Sequence, residues 1–437
     1  MQEKRKDQGS PALNTDLRDA ILCAVDEGFD EQIAYTQKLV SFASQRGEEF
    51  TIQDFIYDDY AARGFKMDRF EMNEAELTSH EGGAPFAAGH SRAPIVVGIH
   101  HPKEEKRRSL ILQHHLDVVP VGPEDMWEYA PYGGEIVGDR MYGRGAGDMK
   151  AGAGANVYAL EALKRIGLQP ASTVYLQSVV EEESTGNGAL QTFLRGYTAD
   201  AALIPEPEEN KLARACSGVL WFEVEVRGIP VHVRQMGEGA NAIDAAYRVI
   251  GALREIEAKW NAEKGQHRGF EDEPKPINMN IGIIEGGDWG SSVPAWCRFQ
   301  VRISIYPGQK AQDKLREITD HISNFARGDR FLGQNPPRVT QNGFNAEGYY
   351  LEPGSEAENT LARAHETAFG AKLESFTTPA YLDARVYALY NRIPTLCYGP
   401  VSRNIHGFDE YVSLESLRSV TKTMALFIAD WCGTEAI

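Results

Sequence analysis

Nowhere in this 437-residue sequence is there an apolar run of about 18 residues, the length a helix needs to cross a bilayer. Nor does an apolar stretch follow the charged opening MQEKRKDQGSPALNTD. That opening is unlike a secretory signal, and a cytoplasmic location is expected. Cysteine is scarce. Cys23, Cys216, Cys297, Cys397 and Cys432 are odd in number, widely scattered and without a CxxC pair. They read as reduced thiols rather than a disulfide framework. Positive charge is also short, with 45 Lys and Arg against 63 Asp and Glu and a net charge of −18. This balance argues against a sequence-independent grip on nucleic acid or an anionic membrane. It leaves a small-molecule substrate open, because a pocket can be locally positive in an acidic protein.

What is present is globular: 42% hydrophobic and 25% charged residues, enough to bury a substantial core. Helical spacing runs through 15–43 and 52–62, a strand is expected at 65–70, and 73–93 reads as loop. Aliphatic runs then alternate with helical ones: strands at 93–100, 109–119, 173–180 and 200–207, helices at 148–168 and 188–197. Such alternation predicts an α/β domain with a mixed, largely parallel sheet. From Gly218 the style changes to period-two alternation, as in VLWFEVEVRG. The order of elements to about 342 is βαββαβ, which predicts an α+β domain with an antiparallel sheet covered by helices on one face. The α/β style returns with helices at 355–369, 382–390 and 413–431 and a strand at 394–398. Residues 1–216 and 343–437 are therefore expected to form one domain, interrupted by an inserted one at 217–342.

The chemistry-bearing residues gather at predicted strand ends. In LILQHHLDVVP, His115 and Asp117 are two apart on the expected strand and so project to the same face. That suits a metal ligand with a carboxylate behind it, or a histidine with ordinary hydrogen bonds. MYGRGAGDMKAG matches neither GxGxxG nor GxxxxGK[ST]. Its Asp148 reads either as a helix N-cap or as a carboxylate aimed at a shared cation. VYLQSVVEEESTGNG runs an apolar strand into Glu181, Glu182 and Glu183, where α/β sheets place ligand sites. Glu206 ends another strand, and His406 follows a short one. Two histidines and three separated carboxylate sites suit one or two divalent ions of the zinc, cobalt or manganese type. One glutamate of the triplet is left to take a proton from metal-bound water.

In order and register, HLDVVP, YGRGAGDMKAG, VEEESTGNG, IPEP, GIPVHV…GEGANAI, GG…VP and YGP…H resemble the M20 metallopeptidase family. Within it they are most similar to the deacylase branch of acetylornithine deacetylase and succinyl-diaminopimelate desuccinylase, over about residues 20 to 430. The resemblance implies a zinc-peptidase-like catalytic domain and an inserted dimerisation domain, hence a homodimer. It implies His115, Asp148, Glu183, Glu206 and His406 as metal ligands, with Asp148 bridging. It implies Asp117 as the residue orienting His115, and Glu182 as general base for a metal-bound hydroxide. Glu181 stands where the family usually has aspartate. It also implies that His232 reaches the partner subunit's active site and helps hold the oxyanion.

Three departures fall on the substrate side. Ser291, in SSVP, replaces a common asparagine of the substrate site. Ser304 stands where many members place a carboxylate-gripping arginine. Arg302, two residues earlier on the same strand face, either reaches the substrate or forms a surface ion pair. AYLDAR at 380–385 replaces the common GGTDAR, and its Tyr381 either packs or offers a stacking face for a flat substrate. The expected activity is metal-dependent hydrolysis of the amide C–N bond of a small N-acyl amino acid or related N-acyl amine. The alternative is hydrolytic deamination of a non-peptide C–N bond such as that of an activated aromatic amine.

Overall fold

A computed structural model describes residues 13–87 and 89–437. Its central sheet has six strands in the spatial order Lys66–Phe70, Ile95–His100, Val174–Val179, Leu110–His115, Ala201–Ile204 and Thr395–Cys397. The first two pairings are antiparallel and the remaining three parallel. Leu110–His115 and Ala201–Ile204 are buried at every position. This is the signature of strands covered on both faces, and it explains their continuous apolar runs. Helices Thr15–Val40, Ala151–Arg165 and Leu414–Cys432 pack in one core with these strands.

A second sheet is antiparallel throughout, in the order Met279–Gly286, Trp296–Ile305, Gly218–Arg227 and Arg338–Ala346. In Gly218–Arg227 burial alternates from Leu220 onward: Leu220, Phe222, Val224 and Val226 are buried beneath helices Ala242–Ala262 and Ala311–Gly328. Trp221 lies on the opposite, helix-free face, as does its cross-strand partner Arg302. The strand predicted near 338 runs on to Ala346, past residue 342.

Several predicted elements are corrected at their edges. The 73–93 loop contains a short helix, Glu74–Ser79, capped by the Asn73 side chain. The strand through His115 stops there, so Asp117 lies beyond it. The strand expected to 207 ends at Ile204, and the helix expected from 148 starts at Ala151 after an irregular turn, Ala146–Lys150. The helix expected at 382–390 is a short turn, Ala384–Val386, followed by a wider one, Tyr387–Asn391. All five cysteines are free, and four of them are buried. Among the described residues no helix is long and apolar enough to cross a membrane.

Candidate active site

The parallel strands point their carboxyl ends the same way, and the predicted site residues follow directly from those ends. His115 closes its strand opposite Val179, and the glutamate triplet begins two residues after Val179. Glu206 lies two residues past Ile204, whose neighbour is Cys397. The chain around Glu206 passes between two glycines: a Cβ on Gly152 would overlap the Pro205 carbonyl oxygen, and one on Gly399 the Glu206 carbonyl oxygen.

Asp148 and His406 are brought in by a third, small sheet that sequence periodicity does not announce. Its strands are Ser402–Arg403, Tyr411–Ser413, Arg140–Tyr142 and Glu135–Val137, in that order. His406 sits in the connection between the first two, in a left-handed conformation (φ 63°) that few non-glycine residues adopt. Asp148 follows Arg140–Tyr142 through the irregular turn. Glu410 joins the two segments: its Oε1 accepts from Gly147 N and Asp148 N, both at 3.0 Å, and its Oε2 from Arg144 Nη1 at 2.6 Å. Both members of this ion pair are buried. Sequence reasoning missed Glu410. The only hint is an acid four residues past His406 in a segment too short to show a period.

The result is two clusters of three ligand types that share one carboxylate. Nε2 of His115 lies 3.2 Å from Asp148 Oδ1 and 3.8 Å from Glu206 Oε1. Nε2 of His406 lies 3.0 Å from Glu183 Oε2 and 3.5 Å from Asp148 Oδ2. In each cluster the candidate donor atoms fall within 4.8 Å of one another. Asp148 thus turns one oxygen to each histidine, as a bridging carboxylate does. The donor set fits a pair of divalent cations. Glu206 Oε1 is buried without a hydrogen-bond partner among the described residues, a costly state for a carboxylate unless a cation compensates. Burial drives the Glu206 carboxyl well above its usual range, the His115 ring opposing, with Asp148, Glu208 and Asp383 adding to the rise. His406 is pushed up to about 11, chiefly by the Glu183 carboxylate. Mixed nitrogen and oxygen donors of this kind favour zinc, cobalt or manganese over calcium or magnesium.

Asp117 does more than the sequence suggested. His115 Nδ1 is 3.0 Å from the Asp117 carbonyl oxygen and 3.5 Å from its carboxylate. That carboxylate in turn accepts from the backbone N–H of Glu182 (3.3 Å) and Glu183 (3.0 Å). The triplet itself divides into three roles. Glu181 is fully buried and in a left-handed conformation (φ 69°). Its carboxylate accepts from Arg46 at 2.6 and 2.9 Å, from Ser91 N at 2.7 Å and from Thr185 Oγ1 at 2.8 Å. Glu183 belongs to the His406 cluster, while Glu182 belongs to neither. Glu182 stands at the cavity wall, 3.9 Å from His115 Nε2, and burial raises its carboxyl well above the ordinary range.

A cavity of about 550 Å³ opens between these carboxylates and the helix-free face of the four-stranded sheet. Three aromatic residues line it: Trp221 and Phe344, from the sheet, have ring centroids 5.4 Å apart, and Phe344 meets Tyr381 at 4.4 Å. Tyr381 is fixed by donating to Asp383 Oδ1 at 2.8 Å, and Asp383 accepts from Gln113 on a central strand at 2.8 Å. Arg302 also lines the cavity and forms no ion pair among the described residues. The surface ion-pair alternative for it is thereby removed.

His232 and Ser291 are not in this cavity. Both are exposed and lie next to each other, in a segment where Val233 N donates to Ser291 O and His232 bridges to Ser292. Ser291 therefore does not line the substrate cavity of its own chain. It sits on an outward loop beyond the edge strand, beside Trp289, which is 74% exposed.

The sequence profile of peptidase family M20/M25/M40 matches residues 111–430. The N-formyl-4-amino-5-aminomethyl-2-methylpyrimidine deformylase of Bacillus subtilis is 26% identical over 94% of this chain and 96% of its own. A succinyl-diaminopimelate desuccinylase of Bradyrhizobium is 27% identical over 70% of this chain and 79% of its own. Among solved structures, the di-peptidase Dug1p of Saccharomyces cerevisiae superposes with a TM-score of 0.77 over 95% of this chain and 98% of its own, at 14% identity. With residues 111–430 matched by the family's profile and two candidate ligand clusters assembled at the sheet's carboxyl edge, the chain belongs to peptidase family M20/M25/M40.

Proposed function

We propose that this enzyme, a metal-dependent amidohydrolase, removes a small acyl group such as formyl from an amine that carries a flat aromatic ring. One observation carries the choice of amine. The cavity that holds the carboxylates is lined by the contacting rings of Trp221, Phe344 and Tyr381, which suit a flat ring better than an aliphatic chain. The deformylase relative, whose named substrate is an N-formyl aminomethylpyrimidine, supports the same reading.

In this reading His115, Asp148 and Glu206 hold one cation, and Glu183, Asp148 and His406 the other. When bound, such ions polarise a carbonyl and lower the pKa of water. Glu182, free of both clusters, takes the proton of the attacking water as it adds to the acyl carbon, and then delivers it to the leaving nitrogen. Asp117 holds the His115 ring and the backbone of Glu182 and Glu183 in one frame. Residues 13–216 and 347–437 form the catalytic unit and 217–346 a dimerisation unit, the boundary expected at 342 moving to the end of the strand Arg338–Ala346. His232 donates to the developing oxyanion of the partner's site. Its exposure, and the exposed Trp289, Met236, Val233 and Tyr247 on the same unit, support a homodimer.

The test is a panel of N-formyl, N-acetyl and N-succinyl amines, aromatic and aliphatic, assayed with Zn-, Co- and Mn-loaded protein. The expected result is metal-dependent release of an aromatic amine, abolished in Glu182→Gln. Ammonia from an aryl amine, with no acid co-product, would instead favour the deaminase alternative. The dimer is tested by mixing His232→Ala with Glu182→Gln. If His232 serves the partner subunit, two nearly inactive variants regain part of the wild-type rate, because one site of the hybrid is intact. No recovery in a demonstrated hybrid dimer would remove His232 from the partner's site.

A further inference from the structure

The aromatic residues account for only part of the cavity lining. Asn280 is directly opposite Arg302, and Arg302 directly opposite Trp221, in one row across three strands. Gln300 is two residues from Arg302 on the same strand face, and all four line the cavity. Side chains in such a row stand about 5 Å apart, so a ring against Trp221 has its edge within reach of the next two. The side chains of Asn280 and Gln300 make no hydrogen bond among the described residues. Arg302 makes one, from Nη1 to Ser304 Oγ at 3.3 Å. A guanidinium has five N–H donors, and an amide both donates and accepts.

We propose that Asn280, Arg302 and Gln300 are specificity residues that read the heteroatom edge of the amine's ring. The ring would be a nitrogen heterocycle bearing an exocyclic amino group. This inference rests on the aromatic-amine reading above and goes further by naming the ring's chemistry. Arg302, which can only donate, faces pyridine-type ring nitrogens, which can only accept. The amide oxygens of Asn280 and Gln300 take the exocyclic N–H. A carbocyclic ring satisfies none of these groups and desolvates Arg302 without compensation.

The experiment compares three N-formyl amides: of an aminopyrimidinylmethylamine, of benzylamine and of phenylalanine. Wild type, Asn280→Ala, Gln300→Ala and Arg302→Met are assayed for kcat and KM. Binding of aminopyrimidinylmethylamine and benzylamine to Glu182→Gln is measured by calorimetry. Asn280 is exposed on an edge strand, so its truncation leaves the core intact. Wild type is expected to prefer the pyrimidine over the benzyl amide by about 100-fold in kcat/KM. Each amide variant should lose about tenfold on the pyrimidine, mainly through KM, and little on the benzyl compound. Calorimetry should rank the two amines the same way. Equal turnover and equal binding of pyrimidine and benzyl compounds would overturn this inference while leaving the aromatic-amine reading standing. Preference for the phenylalanine amide, lost in Arg302→Met, would make Arg302 a carboxylate clamp and overturn it as well. If wild type cleaves neither aromatic amide, the aromatic-amine reading fails on its own, and the calorimetric ranking still decides whether this face selects a heterocycle.

Discussion

At the scale of single residues, the triplet shows how one short run separates support from chemistry. Glu182 and Glu181 are both buried, but only Glu181 is saturated with donors. Glu182→Gln keeps the volume and removes the proton acceptor, so cation content should be unchanged while kcat falls by about 100- to 10,000-fold. Metal analysis beside steady-state kinetics checks this, and a loss of metal equal to the loss of rate would shift Glu182 into the ligand set. Arg46 offers the complementary case. Its removal leaves the Glu181 carboxylate buried beside Ser91 and Thr185 with, among the described residues, no ion-pair partner except the His90 ring, 3.5 Å away. Breaking a buried pair from one side costs about 3–5 kcal/mol, so Arg46→Ala should unfold at markedly lower urea. Arg46→Lys should recover only part of that loss, because an ammonium cannot reproduce the two-point contact. An Arg46→Ala variant as stable as wild type would show that Thr185 and Ser91 alone hold the turn.

At the scale of elements, the site depends on close approach between the start of one helix and the end of one strand. Gly152, in the first turn of Ala151–Arg165, meets the Pro205 carbonyl, and Gly399 meets the same backbone from the other side. Gly152→Ala should therefore force the two elements apart, at a cost of about 1–3 kcal/mol in stability. It should also weaken cation binding through Glu206. Gly251, exposed in helix Ala242–Ala262 with nothing within 4 Å of an added Cβ, is the control. There the same substitution should stabilise by about 0.5–1 kcal/mol, since alanine is the better helix former. Thermal melts of the two variants, one lower and one higher than wild type, are the check. These elements were the legible part of the sequence. Strands buried on both faces betray themselves by continuous apolar runs, and the inserted sheet by period-two alternation with one face under helices. The candidate ligands at strand ends were legible because carboxylates and histidines directly after apolar strands stand out from the core pattern. The small sheet that carries Asp148 and His406 was not, because its strands are two or three residues long and Glu135–Val137 is wholly exposed. Neither length nor burial leaves a pattern there. Asp117 was paired with His115 for the wrong reason, since the strand ends at His115 and a bend rather than the pleat brings the carboxylate back. The open face of the inserted sheet, with its row from Asn280 to Trp221, needs the register of three strands, which no local pattern encodes.

At the scale of the whole molecule, the ligand clusters tie folding to pH in opposite senses with and without cations. In the cation-free protein, burial raises the Glu182 and Glu206 carboxyls well above their usual range, Glu208 to about 8 and Asp383 to about 6. An acid whose folded pKa is raised binds its proton more tightly folded than unfolded. Its contribution is present below the unfolded value of about 4 and is lost as pH rises through the folded value. The histidines act in the same direction. His115 is raised well above its usual range and His406 to about 11. Their contribution is therefore complete below about 6.5 and lost as pH climbs toward the folded value. Asp148 is lowered by the two histidines, so its opposite contribution is already complete by about pH 5 and does not change above it. Between pH 5.5 and 8 these groups should thus withdraw stability from the chelated protein as pH rises. Cations reverse the sign, because they bind deprotonated carboxylates and neutral imidazoles and so gain affinity over the same interval. The rest of the −18 chain titrates equally in both forms and cancels in their difference. Melting temperatures of chelated and zinc- or manganese-loaded protein, taken at half-unit steps, should diverge steadily from pH 5.5 to 8. Parallel curves would mean that the buried carboxylates are neutralised by something other than cations, and the ligand assignment of both clusters would have to be abandoned.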